Sequence, residues 1–427
     1  MDWASTFLHM FRATEIDQWI KKRESGLEEV KGQVEEIIEK VRSGGDAALI
    51  ELSARHGRPP VEHLAVSPEE IEAAYEDVDD ALIEALVEAE ARISQFHELQ
   101  RPKDLWLKQM EPGVILGVKT TPLERVGAYV PGGRAAYPST ALMCVVPARI
   151  AGVPEVCCCS PHPIQPATLV ALDVAGADEI YRIGGAQAVA AMALGTESIR
   201  PVQKIVGPGN VYVTAAKMLL RDNAEIDFPA GPSEIGIIAD DTANPLFIAI
   251  DILAQAEHDP KAACILITPS RALCEKVGVQ IDRLLKESER KEIISEAMAN
   301  SGYVVVRDLD EAVEASDRVA PEHLSIQVAD PLSVLNSVKN AGAIFVGPYA
   351  AVASGDYAAG PNHVLPTAGY ARTYSGLDVM HFCKTSSVQI VDRQGLEAFG
   401  DVVERIADAE GLEAHSESVR IRRRSGK

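Results

Sequence analysis

No apolar run in the chain reaches the roughly twenty residues that a membrane-crossing helix needs, and the opening residues lack the pattern of a secretory signal. A cytoplasmic location is the expectation. None of the seven cysteines (Cys144, Cys157, Cys158, Cys159, Cys264, Cys274, Cys383) falls in a CxxC pair, which argues against a thiolate zinc site and against a disulfide framework. The EVCCCS run reads as a buried strand whose small thiols alternate between opposite faces. Basic charge is scarce: 41 Lys and Arg against 63 Asp and Glu give a net charge of −22. That balance disfavours nucleic acid and anionic membrane surfaces, both of which reward clustered cations. The one basic cluster, Arg420, Arg422, Arg423 and Arg424, reads as a solvated tail that could also pack against a neighbouring subunit. Internal repeats, low-complexity linkers, a GxGxxG fingerprint and an HExxH helix are all missing.

What is present is an ordinary globular chain of 427 residues, 47% hydrophobic, long enough for two or three domains. Residues 27–57 and 68–98 carry apolar positions at helical spacing among many Glu and Lys, which predicts long helices. From about residue 125 the texture changes. Short Val/Ile-rich runs at 126–130, 155–160, 179–183, 204–206, 234–239, 264–268, 303–307, 324–328 and 343–346 alternate with helical stretches. This is the α/β pattern with largely parallel sheets. PAGPSE at 229–234 breaks it, and two sheets are expected on either side.

Polar chemistry collects in a few segments. In AQAEHDP, Gln255 and His258 stand three apart at the end of an apolar helical run, so they share a helical face and could hold one metal ion; a surface pair is the plainer alternative. Asp356, in the irregular GDYAAGPNHVLPT loop, and His415, in EGLEAH, are candidates for completing such a shell. An aspartate charge would partly offset a divalent cation and leave it Lewis-acidic. His363, in the same loop, reads as a residue that hydrogen-bonds the loop itself.

Glycine loops at 129–133 (YVPGG), 184–188 (GGAQA) and 207–210 (GPGN) are either tight turns or the ligand-facing turns of a cofactor crevice. The presence of three favours a nonstandard crevice. In PEHL, Pro321 fixes the backbone before Glu322 and His323. The two are a helix-end ion pair, or an imidazole base beside a carboxylate that orients it or activates water.

YVPGG, GGAQA, GPGN, PAGPSE, QAEH, PEHL, GDYAAGPNHVLPT and EGLEAH occur in the order and approximate spacing seen in histidinol dehydrogenases, and the chain resembles that family from about residue 12 to 418. The resemblance implies oxidation of L-histidinol, through a bound aldehyde, to L-histidine with reduction of two NAD, the last step of histidine biosynthesis. It also implies one Zn2+ per subunit and a homodimer whose C-terminal tail completes the partner's site. The implied fold is two incomplete Rossmann-like domains, a helical N-terminal region and a tail domain. We draw the boundaries as an N-terminal arm 1–23, a first domain 24–124 with 237–377, a second, NAD-side domain 125–236, and a tail 378–427.

Carried over by position, Gln255, His258, Asp356 and His415 resemble the zinc ligands, with His415 supplied by the other subunit. Tyr129, Gln187 and Asn210 resemble the NAD contacts. Ser233, Glu322, His323 and Glu410 resemble residues around the substrate, joined there by the metal ligands; Glu322 and His323 are implied as catalytic. The first nine residues match nothing, so Met10 is an alternative start. The same family pattern would also serve a zinc/NAD dehydrogenase of another polar alcohol. A metal hydrolase would leave the three glycine loops without a task.

Overall fold

In the computed structural model, which describes residues 12–21, 23, 26–54, 61–132 and 136–425, the Val/Ile-rich runs become strands of two parallel sheets. Met10 and Gly133 lie outside the described residues, as does the last stretch, 55–57, of the first expected helix. The strands, in chain order, are β1 (Arg12–Ala13), β2 (Leu105–Glu111), β3 (Val114–Pro122), β4 (Arg125–Tyr129), β5 (Glu155–Cys159), β6 (Glu179–Tyr181) and β7 (Lys204–Val206). They continue with β8 (Glu225–Ile226), β9 (Glu234–Ala239), β10 (Ala263–Thr268), β11 (Gly302–Val305), β12 (His323–Gln327), β13 (Ala343–Val346) and β14 (Cys383–Val391).

The first parallel sheet has the order β6-β5-β4-β7-β8 and the second β1-β11-β10-β9-β12-β13. In each, apart from the edge strand β1, the chain starts in the middle, winds outward over three strands, then returns to the other side of its starting strand. Doubly wound sheets of this kind open a crevice where the winding reverses, here between β4 and β7 and between β9 and β12. Cys157, Cys158 and Cys159 are fully buried on β5. Cys157 and Cys159 join a core formed with the helices Leu27–Ser53, Ala186–Leu194 and Val211–Leu219, while Cys158 lies outside that cluster, as strand alternation requires.

The Leu27–Ser53 helix presents Val30, Val34, Ile38, Val41 and Leu49 to that core. From sequence this helix falls in the first domain; it packs instead on the helical layer of the β4–β8 sheet. Its apolar stripe marks it as a covering helix without saying which sheet it covers.

Alternation also sorts the β9–β13 sheet. Ile235, Ile237 and Ala239 face the helix Pro245–Ala256, whereas Ile238, Leu324 and Ile326 face the opposite layer with Val313 and Val319. His323, Ser325 and Gln327 therefore project from β12 toward the 245–256 helix, and Gln327 Nε2 donates to Asp251 on that helix at 3.3 Å.

Residues 101–123 and 383–427 form a second compact unit. Its sheet, β14-β3-β2, is antiparallel throughout, unlike the two parallel sheets of the first unit. Pro112 and Gly113, the latter at φ 80°, close the β2–β3 hairpin, and the tail strand β14 pairs along the whole length of β3. Placing 105–122 in the first domain is thus corrected: a hairpin satisfies only one edge of β3, and the other is filled by a strand more than 260 residues away in sequence. In the tail, Arg423 of the helix Glu413–Arg424 bridges Glu397, Asp401 and Glu404 of the helix Arg393–Ala409, and Arg420 pairs with Glu404 and Asp408. These two arginines of the basic cluster are consumed within the tail.

Candidate active site

At the reversal point of the first sheet, β4 ends in Tyr129, which is 4% exposed. Its hydroxyl accepts the Gly185 N–H at 3.1 Å, tying the GGAQA loop to the end of β4. Gly185 stands at φ 75° and Gly207 at φ 108°, backbone conformations that glycine adopts without penalty. A methyl group on Gly207 would lie 2.2 Å from the Tyr129 carbonyl oxygen, so this glycine is required by close backbone approach. Gln187 follows in the first turn of the Ala186–Leu194 helix, and Asn210 caps the Val211–Leu219 helix.

The Asn210 side-chain oxygen accepts the Tyr212 and Val213 N–H groups at 3.0 and 3.2 Å. With that oxygen committed, Nδ2 is the donor that Asn210 can offer a ligand. Tyr129, Gln187 and Asn210 thus gather at the carboxyl ends of β4, β6 and β7 beside two helix starts. That arrangement fits a dinucleotide, whose phosphates need N–H donors and close backbone approach.

The second cluster sits at the amino ends of β9 and β12, the opposite edge from the one where doubly wound sheets usually bind. Helix Leu309–Val319 terminates at Ala320, a left-handed residue at φ 48°, and Pro321 follows. A non-glycine residue held in that region before a proline is a strained turn. It sets Glu322 just outside the strand and His323 as its first residue. Adjacent strand residues point to opposite faces; the pair meets because Glu322 has not yet entered the pleat. His323 Nδ1 lies 3.5 Å from Glu322 Oε2 and 3.2 Å from the Glu234 carbonyl oxygen. His323 Nε2 points toward Asp356 Oδ1 at 3.6 Å, has no hydrogen-bond partner, and is buried.

Asp356 comes from the short helix Val352–Tyr357. His363 Nδ1 donates to the Asp356 carbonyl oxygen at 2.7 Å while its Nε2 accepts from Thr140 at 3.2 Å, which makes it the loop-bonding residue expected from sequence. Gln255, 3% exposed, lies one turn beyond Asp251 on the 245–256 helix, on the face turned toward β12. His258 follows after the helix end, exposed. Ser233 immediately precedes β9 and is partly buried.

Burial pushes the Glu322 carboxyl up to about 7, with His323 and the Glu234 N–H only partly opposing it. Burial by itself would lower His323, but the Glu322 and Asp356 carboxylates outweigh it and raise the imidazole to about 9. Asp356 is lowered: burial works against this, and the facing His323 prevails.

Two residues of this cluster have no role in the sequence analysis. Glu234, 1% exposed, accepts the buried Arg23 guanidinium at 2.7 Å; burial raises its carboxyl despite that partner. Arg23 also donates to the Val319 carbonyl and stacks over Trp19 at 4.6 Å. The signal for Glu234 was an acid at the head of an apolar strand. Arg23 carries none, because its partner lies 211 residues away.

His258 and Asp356 with the Gln255 amide make a nitrogen-and-oxygen donor set suited to zinc, and the orphaned His323 Nε2 faces the same carboxylate. Among the described residues, no group of three or more His, Cys, Asp and Glu is arranged to hold a metal. Glu410, at the end of the 393–409 helix, and His415, in the 413–424 helix, belong to the second unit and are both exposed.

Two doubly wound sheets, a glycine-lined crevice and a buried acid–imidazole pair define an α/β enzyme of the nucleotide-dependent oxidoreductase kind. The family model described as histidinol dehydrogenase matches residues 20–423. The chain is 50% identical over 414 residues to histidinol dehydrogenase of Methanothermobacter thermautotrophicus, covering 96% of this chain and 97% of the relative. It is 49% identical to that of Methanosarcina barkeri, with 95% and 94% covered. The crystal structure of histidinol dehydrogenase from Elizabethkingia anophelis superposes with a TM-score of 0.93 at 35% identity, covering 97% of this chain and 98% of that one. The chain belongs to the histidinol dehydrogenase family, which are NAD-dependent oxidoreductases of histidine biosynthesis.

Proposed function

We propose that this protein oxidises L-histidinol to L-histidine through a bound aldehyde, reducing two NAD, with one zinc ion per subunit. The observation that carries the proposal is the buried Glu322–His323 pair beside Asp356 within a chain of this family. His323, once it has released the proton that the Glu322 and Asp356 carboxylates hold on it, is the base that takes the hydroxyl proton while hydride leaves the same carbon. Tyr129, Gln187 and Asn210 would hold NAD, which would supply the hydride acceptor. Glu322, whose carboxyl titrates near neutrality, then takes a proton from the water that hydrates the aldehyde for the second oxidation. Ser233 lines the substrate side at the head of β9.

Gln255, His258 and Asp356 would hold zinc, joined by His415 of a second copy; the ion would supply a Lewis-acidic anchor for the substrate's amine and imidazole nitrogens. Glu410 would meet the substrate from the same tail. Exposed apolar side chains on the second unit, among them Leu107, Met110, Ile406 and Ile421, favour a homodimer. We retain the NAD-side domain 125–236 and the substrate-side segment 237–377 as the functional division. Among the described residues no helix is long and apolar enough to cross a membrane, and we assign the enzyme to the cytoplasm.

The test is NADH formation by zinc-reconstituted protein with L-histidinol beside a panel of amino alcohols and diols. Two NADH per histidinol, abolished by chelator, is the expected result. Turnover of another alcohol with none of histidinol would overturn the substrate and keep the reaction class.

A further inference from the structure

The GPGN loop is held by a buried ion pair that the chemistry above does not use. Lys217 and Asp227 are 4% and 5% exposed, and Lys217 Nζ contacts Asp227 Oδ1 directly. Both also grip one glycine. Lys217 Nζ donates to the Gly207 carbonyl oxygen at 3.0 Å, and Asp227 Oδ2 accepts the Gly207 N–H at 2.8 Å. The two peptide groups flanking the Gly207 Cα are therefore fixed by the two ends of one salt bridge. Asp227 Oδ1 also accepts the Phe228 N–H at 2.7 Å, which anchors the carboxylate to its own strand end.

The two residues reach the loop from different elements. Lys217 lies on the Val211–Leu219 helix that Asn210 caps, and Asp227 follows β8. Gly207 in turn abuts the Tyr129 carbonyl so closely that no side chain fits between them. One salt bridge thus joins the end of β7, the helix behind the loop and the neighbouring strand, and it presses the loop onto β4.

A buried ion pair gains little stability over well-packed apolar side chains, because desolvation offsets the attraction. Specified backbone geometry is what such a pair can provide and an apolar pair cannot. Helix Val211–Leu219 ends on Leu220, and the body of the helix already packs on the apolar core through Val213 and Ala216. Neither charged group is needed to seat it.

We propose that Lys217 and Asp227 are positioning residues for the nicotinamide dinucleotide: they hold Gly207–Asn210 in the conformation that binds the cofactor without touching it. The proposal rests on the reading of Asn210 as a cofactor contact. Its test is direct titration of the full-length protein with NADH, without substrate, by calorimetry or fluorescence, for wild type, Lys217→Met, Lys217→Met/Asp227→Asn and Asn210→Ala. The double variant removes both buried charges, retains an amide oxygen for the Gly207 N–H, and keeps the experiment readable where the single variant fails to fold.

The expected result is NADH binding about tenfold weaker in the double variant, with KM for NAD rising in parallel and KM for the alcohol moving less than about twofold. A merely structural pair would lower the melting temperature and leave NADH affinity and that KM contrast unmoved. Unchanged NADH affinity in the double variant while Asn210→Ala weakens binding overturns the proposal and leaves the cofactor reading standing. Unchanged affinity in every variant overturns both, since the loop then does not bind the dinucleotide.

Discussion

Glu234 and Glu322 bond reciprocally just ahead of the first rung joining β9 and β12, each side-chain carboxylate accepting the other's main-chain N–H: Glu322 Oε2 accepts the Glu234 N–H at 2.8 Å, and Glu234 Oε1 accepts the Glu322 N–H at 3.3 Å. Two buried carboxylates so close would repel one another if both were ionised alone. Arg23 supplies the positive charge that makes the arrangement tolerable, and its second nitrogen is bonded to the Val319 carbonyl, just ahead of the strained turn at Ala320.

Removing that cation leaves Glu234 buried without a counter-charge. Arg23→Met is expected to destabilise the protein by about 3–5 kcal/mol, and Arg23→Met/Glu234→Gln to recover a substantial part of the loss. Urea unfolding of the two single variants and the double decides this. Additive effects would mean the pair contributes no coupling.

The assigned division of labour predicts a split between half-reactions. His323→Ala is expected to reduce both alcohol and aldehyde oxidation by at least about a hundredfold, and Glu322→Gln to reduce chiefly the aldehyde step. Single-turnover measurements started from histidinol and from the aldehyde separate them. Equal losses in Glu322→Gln would refute the role given to Glu322.

Asp251, 8% exposed, is pushed up to about 6 by burial, which the hydrogen bond from Gln327 only partly offsets. The folded protein therefore holds this proton more tightly than the unfolded chain does. Its contribution to stability falls as pH rises from about 4 to about 6, then stays at its full cost. Asp251→Asn should gain on wild type over that interval, reaching at most about 2–3 kcal/mol above pH 6, with little difference below pH 4. Unfolding curves at several pH values test this; a pH-independent difference would show that the carboxyl is not held protonated.

A shared site has a signature in mixing. His415→Ala and Asp356→Ala are each expected to be inactive and to lose zinc. Co-refolded in equal amounts, they should regain about a quarter of wild-type activity, because half the dimers then carry one intact site. No recovery in verified heterodimers would return His415 to its own subunit.

Much of the α/β core was legible in the sequence. β7, β9 and β13 coincide with their Val/Ile-rich runs, β5 and β10 differ from theirs by a residue at one end, and β12 is shifted by one residue at both ends. Continuous apolar runs bounded by Gly and Pro identify buried parallel strands because both faces must be apolar. β2, β3 and β14 were missed for the converse reason. They carry Lys, Gln, Ser and Thr among their apolar residues, and β2 and β14 are largely exposed, so no buried face imposed a readable pattern.

The site divides in the same way. Local sequence determined which residue types could do chemistry: Pro321 ahead of Glu322 and His323, glycines at 185 and 207, and Gln255 three residues before His258, although the helix ends at Ala256 and leaves His258 beyond it. Those depend on short-range sterics and spacing, which a sequence records directly. Only the tertiary structure decided that the Glu322–His323 pair occupies the amino edge of its sheet, that Arg23 neutralises Glu234, and that Lys217 and Asp227 clamp Gly207. Those relations are set by strand order and by contacts between elements distant in the chain. A buried charge finds its partner through space, and nothing local in the chain specifies which partner that will be.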